Sequence, residues 1–149
     1  MKTVDESTDG IVTATVSDTA DNLKTLGPNN DYTIIVAGTT AEASSLKAID
    51  ASTVKLIDAT GLTSISGSVA DVKLVTDAIT STANANGINL GAINAGVSNV
   101  AIILNDILGS SVTASNLKSI VEKTSGSVTF TNAVAISGSL SDVTAALVT

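Results

Sequence analysis

The sequence has no cysteine and no histidine. Without cysteine there is no disulfide framework and no thiolate metal site, although such a chain suits extracellular life. Without histidine, Ser-His-Asp and Cys-His nucleophilic systems are excluded, and imidazole zinc sites with them. Tyr32 and Phe130 are the only aromatic rings, 1% of 149 residues, so a core must be built from Ala, Val, Ile and Leu. Such residues suit thin, regular layers. Arginine is missing as well. Seven scattered lysines (Lys2, Lys24, Lys47, Lys55, Lys73, Lys118 and Lys123) stand against fourteen acids, for a net charge of -7. That distribution offers no basic patch, and nucleic acid is not expected as a partner. The longest apolar run, VAIIL at 100–104, is far short of a membrane span, so no membrane insertion is expected. The opening MKTVDESTDG is polar and lacks the apolar segment of a signal peptide. The closing LVT falls inside a helical pattern. That ending is read as the mark of a fragment of a longer protein, 1–149 forming a single repeat-containing domain, with any export signal outside it.

What is present is repetition. ISGSVADV at 65–72 returns as ISGSLSDV at 136–143. When the chain is slid along itself so that Ile65 meets Ile136, 36–78 falls on 107–149 without a gap, and fourteen positions are identical. They are Gly38, Ala43, Ser44, Leu46, Lys47, Ile49, Thr53, Thr60, Ile65, Ser66, Gly67, Ser68, Asp71 and Val72, each meeting its own residue type in the second copy. Similarity at a fixed offset marks a repeat architecture. Shorter relatives of the phrase are VSDTADNLKTL at 16–26, VAGTTAEASSLKAI at 36–49 and INAGVSNVAII at 93–103.

The phrase has a local physical logic. Ile65 ends a short strand, with Leu62 beside it on the buried side. Gly67 lets the chain turn sharply. Ser68 is placed to cap a helix, and Asp71 three positions later completes a capping box at the positive end of the helix dipole. Ser139 and Asp142 repeat the pair; Thr39 with Glu42, and more loosely Asp18 with Asp21, are read the same way. Apolar stripes at helical spacing follow: Leu23 and Leu26; Leu46 and Ile49; Val72, Val75 and Ile79; Leu117, Ile120 and Val121; Val143 and Leu147. Strand-like runs lie between them: IVTATV at 11–16, YTIIVAG at 32–38, VKLID at 54–58, GINLGAI at 87–93 and GSVTFTN at 126–132. They are separated by Asn-, Gly-, Pro- and Ser-rich punctuation. The segment 100–112 reads two ways. The spacing of the corner phrases makes it a helix, and the likeness of AIIL to TIIV makes it a strand; helix is the reading adopted.

Strand then helix, several times over, predicts an α/β fold with parallel strands and helical crossovers. The expected form is a repetitive β-α solenoid with parallel strands on one side and short helices on the other. A compact single α/β domain is the alternative.

Chemistry is hard to find. Asp50 and Asp58 are the candidates for a carboxylate pair, while Asp71 and Asp142 read as caps. No GxGxxG or Walker loop occurs, and the turn at 38–47 would set Glu42 against a phosphate. Neither an EF-hand loop nor a calcium β-helix nonapeptide is present; Asp5-Glu6-Asp9 and Asn29-Asn30-Asp31 are the remaining turn candidates for calcium. Alternating Thr13 and Thr15, or Thr129 and Thr131, offer a flat face for a sugar or a solid surface, and are equally what any strand with one wet face shows. The expectation is no catalytic, cofactor-binding or metal-binding residue and no cofactor.

VSDTADNL, VAGTTAEASSLKAIDAST and ISGSVADV resemble tandem Ser/Thr/Ala-rich repeat modules of very large secreted or surface-exposed bacterial proteins, cyanobacterial and marine ones above all. The resemblance covers 10–78 best, then 109–147, and weakens through 81–105. It implies a structural or adhesive repeat at the cell surface, with neighbouring repeats of the parent protein as partners and self-association through exposed ends. It implies no catalysis. A carbohydrate- or surface-binding module is the alternative function.

Overall fold

The computed structural model describes residues 10–28, 30–80, 86–91 and 98–147. Ten strands and five short helices lie among them, most helices following two or more successive strands. The first half holds β1 (Thr13–Thr19), α1 (Ala20–Leu23), β2 (Asp31–Ala37), β3 (Thr40–Glu42) and α2 (Ala43–Asp50). Next come β4 (Leu56–Asp58), β5 (Ser64–Gly67), α3 (Val69–Asp77) and β6 (Gly87–Asn89). The remainder is β7 (Ala101–Leu104), β8 (Ser111–Thr113), α4 (Ala114–Val121), β9 (Val128–Phe130), β10 (Ala135–Ser137) and α5 (Leu140–Leu147). The fold is mixed α/β. Every strand pairing among the described residues is parallel, in sheets ordered β1-β2-β4-β6, β3-β5-β7-β9 and β8-β10. No sheet among the described residues closes into a barrel.

Side-chain alternation explains the strands. In β2, Tyr32, Ile34 and Val36 are buried while Thr33 and Ile35 are exposed, so the near-continuous apolar run is a one-faced strand of period two. Register then stacks like on like. Ala41, Ile65, Ile102 and Val128 follow one another across the second sheet, and Ile57 lies beside Ile88 in the first. A fully buried aliphatic side chain of this kind contributes about 1.5–3 kcal/mol.

The helices are eight or nine residues long apart from α1, too short to hold in isolation. Their stability comes from a buried stripe, as with Ala43, Leu46 and Ile49 in α2, Val69, Val72 and Val75 in α3, and Ala114, Leu117 and Ile120 in α4. Each helix touches the next in chain order, α1 through α5. Sheet and helix residues share one apolar core.

The two corner phrases adopt the same course. β5 leads into α3 and β10 into α5, and in both the serine hydroxyl accepts from the N–H three positions on, Ser68 from Asp71 and Ser139 from Asp142, each at 3.1 Å. Both corners need glycine for a reason beyond turning. A Cβ on Gly67 would come within 2.8 Å of the Ala43 Cβ, and one on Gly138 within 2.8 Å of the Ala114 Cβ. The corner therefore sits directly on the first residue of the preceding helix.

Three expectations are corrected. Residues 101–104 form a strand, β7, not a helix, because Ile102 pairs with Ile65 on one side and Val128 on the other. Thr39 does not cap: β3 runs on to Glu42, α2 starts at Ala43, and Glu42 makes no side-chain cap bond, its carboxylate accepting instead from Ser66 Oγ at 2.8 Å. Asp18 does not cap either; the N-cap of α1 is Thr19, without a side-chain bond, and the Asp18 carboxylate accepts from the Thr19 N–H and the Asn22 amide. The corner expected at 93–103 falls partly outside the described residues, and its described end is the strand just named.

Candidate functional site

Among the acids singled out by the sequence that the structure describes, all but one are engaged in holding the chain together. Asp58 ends β4 on an exposed position, where its carboxylate accepts from both the Thr60 N–H (3.1 Å) and the Thr60 hydroxyl (2.7 Å). That is a local Asx turn. Asp50, the last residue of α2, is the exception. One of its carboxylate oxygens is buried without a hydrogen-bond partner, and desolvation raises its pKa above the usual aspartate value. The two carboxylates thus have opposite environments.

The calcium candidates divide. Asp5, Glu6, Asp9 and Asn29 lie outside the described residues. Asn30 is buried; its side-chain oxygen accepts from the Val12 N–H at 2.8 Å, and its amide donates to the Gly27 and Pro28 carbonyls at 3.2 Å. Asp31 pairs with Lys55 at 3.1 Å. Among the described residues no group of three or more acids stands close enough to hold a metal ion. The Gly38–Lys47 turn has no side-chain cap at the start of α2 and carries Glu42 there, which disfavours an anion.

The threonine rows are surfaces of different kinds. Thr13 and Thr15 are exposed on β1, and Thr15 lies beside exposed Thr33 of β2. Thr131 donates to the Leu104 carbonyl at 3.3 Å, and Thr129 lies 3.5 Å from the Ile102 carbonyl. That second pair is turned partly toward the neighbouring strand.

Several structurally important residues were missed as such; the threonines and lysines among them carry a signal in the sequence, since they recur at the same offset as the corner phrases, whereas Asp106 does not. Thr53 Oγ donates to the Tyr32 carbonyl at 2.7 Å and accepts from the Lys55 N–H. Thr124 Oγ donates to the Val100 carbonyl at 2.6 Å and accepts from the Gly126 N–H. Both hydroxyls are buried ties between successive strands. Lys47 of α2 pairs with Asp71 of α3 at 2.6 Å, and Lys118 of α4 with Asp142 of α5 at 3.5 Å. The Lys47 ammonium, with the Ser68 hydroxyl behind it, holds the Asp71 carboxyl below the usual aspartate pKa. Asp106, from the turn after β7, accepts from the Val69 N–H at 3.0 Å, so the first turn of α3 is completed by a side chain from far downstream.

A concavity of about 470 Å³ lies elsewhere, at the end of the helix row, lined by Leu117, Val121, Val128, Phe130, Ala146 and Leu147 with the 124–127 turn. Among the described residues its walls carry no Asp, Glu or Lys. A slot walled without a charged group offers neither a carboxylate nor an ammonium for acid-base work. No helix among the described residues is long and apolar enough to cross a membrane. Comparison with protein-family models, with curated proteins and with solved structures finds no match for the chain.

Proposed function

We propose that this chain is a structural or adhesive repeat module of a large bacterial surface protein, built as a β-α solenoid and exported as part of its parent. The observation that carries the reading is the recurrence of the same non-local contacts at one offset. Gly67 rests on Ala43 as Gly138 rests on Ala114. Lys47 meets Asp71 as Lys118 meets Asp142. Thr53 and Thr124, equivalent at that offset, each tie back to an upstream carbonyl, although the acceptors, Tyr32 and Val100, are not themselves equivalent. Repeated units that touch mainly their neighbours are the mark of a solenoid, and such a body holds other domains at a distance. The acidic excess and the Ser/Thr-rich outer positions keep it in water. In this reading no residue is catalytic, and Asp50 is a local cost of packing, not an acid-base group.

Force spectroscopy on the whole chain, held by its two ends, tests the spacer role. The expected result is resistance well above that of an unstructured linker, refolding on relaxation, and a gain of about 3.4 Å per unfolded residue. A chain that extends without resistance sinks the reading, and so does saturable hydrolysis of a substrate that is lost in Asp50→Asn.

A second reading, a carbohydrate- or surface-binding module, draws on the exposed Thr13, Thr15 and Thr33 group. Glycan-array binding that Thr15→Ala and Thr33→Ala abolish would favour it over the spacer.

A further inference from the structure

We draw no further inference here: the strongest candidate, the shallow concavity of about 480 Å³ at the outer side of β2 and β4, lined by Thr33, Val54, Lys55 and Leu56, is an unpartnered sheet face, and nothing in the structure shows what covers it.

Discussion

Ile57 and Val128 hold the same place in two stretches of the molecule, as do Val69 and Leu140. In the first stretch these side chains are sealed by a following strand and helix; in the second they border an open slot or face water. Yet the corners that position them are alike, down to the serine cap, the glycine over alanine and the lysine–aspartate pair. The comparison separates two things that a buried residue usually confounds. Local geometry is set within each stretch. Burial is conferred by whatever comes to lie on it.

The comparison breaks most visibly under truncation. Ile57→Ala should lower stability by about 2–5 kcal/mol, because a fully buried side chain leaves a cavity, while Val128→Ala at the half-open counterpart should cost about 1 kcal/mol or less. Urea midpoints at unchanged slope measure both, and equal losses would mean the slot is covered in solution. The buried threonines should behave alike. Thr53→Val and Thr124→Val should each cost about 1–2 kcal/mol, since each strands a carbonyl and an N–H that the hydroxyl now satisfies; a loss at only one of them would show that the two ties are not equivalent.

Asp50 is where the stretches differ in chemistry, because its counterpart is Val121. Asp50→Val should therefore stabilise at neutral pH, by at most about 1 kcal/mol given the partial exposure that screens the charge. The sign follows from the raised folded pKa. The folded state holds the Asp50 proton more tightly than the unfolded chain does. The charged form is therefore destabilising at neutral pH, and the penalty fades as pH falls through the folded pKa toward the unfolded one. Thermal unfolding of both proteins from neutral to acid pH should show the gap closing. A gap independent of pH would put the gain in packing instead of charge.

The smallest effect is expected at Asp71. Its carboxyl is held low by Lys47 and then by Ser68, so its contribution is complete above the unfolded aspartate value of about 3.9 and is lost as pH falls through the lower folded value. Asp71→Asn should cost under about 1 kcal/mol at neutral pH, as partly exposed pairs do. Its unfolding curve should merge with that of the wild type at strongly acid pH and should differ less in high salt. A difference that persists unchanged in acid would assign the loss to something other than the charge.

The corners at 65–72 and 136–143 were legible in the sequence because everything they need lies within one short phrase: a strand-ending Ile, a Gly, a Ser and an Asp. The runs at 32–38, 54–58 and 126–132 were legible as strands from alternation and punctuation. AIIL at 101–104 was not, since a short aliphatic run fits a buried strand and a buried helix equally well. Its partners β5 and β9, both distant in the chain, made the choice. Thr39 and Glu42 have the spacing of a capping box, but pairing of β3 with β5 extends the strand to Glu42 and leaves no room for the box. The short strands β3, β8 and β10 have weak patterns of their own and are held by their ladders. For the candidate site, the sequence pointed to Asp50 and Asp58 only as two acids near secondary structure. The environments that set them apart, an unpartnered buried oxygen and a satisfied Asx turn, depend on neighbours that spacing does not reveal.

By itself, then, the amino-acid order determined the absence of thiol and imidazole chemistry, the aliphatic core, the recurrence that carries 36–78 onto 107–149 and the serine-capped corners, because composition and short-range geometry suffice for each. Tertiary structure alone decided that 101–104 is a strand, that Lys47 reaches Asp71 and Asp106 completes α3, and that one unit is sealed while its counterpart stays open. Those outcomes rest on parallel pairing and stacking between segments well separated along the chain, and parallel strands, lacking a hairpin to join them, always find their partners at a distance.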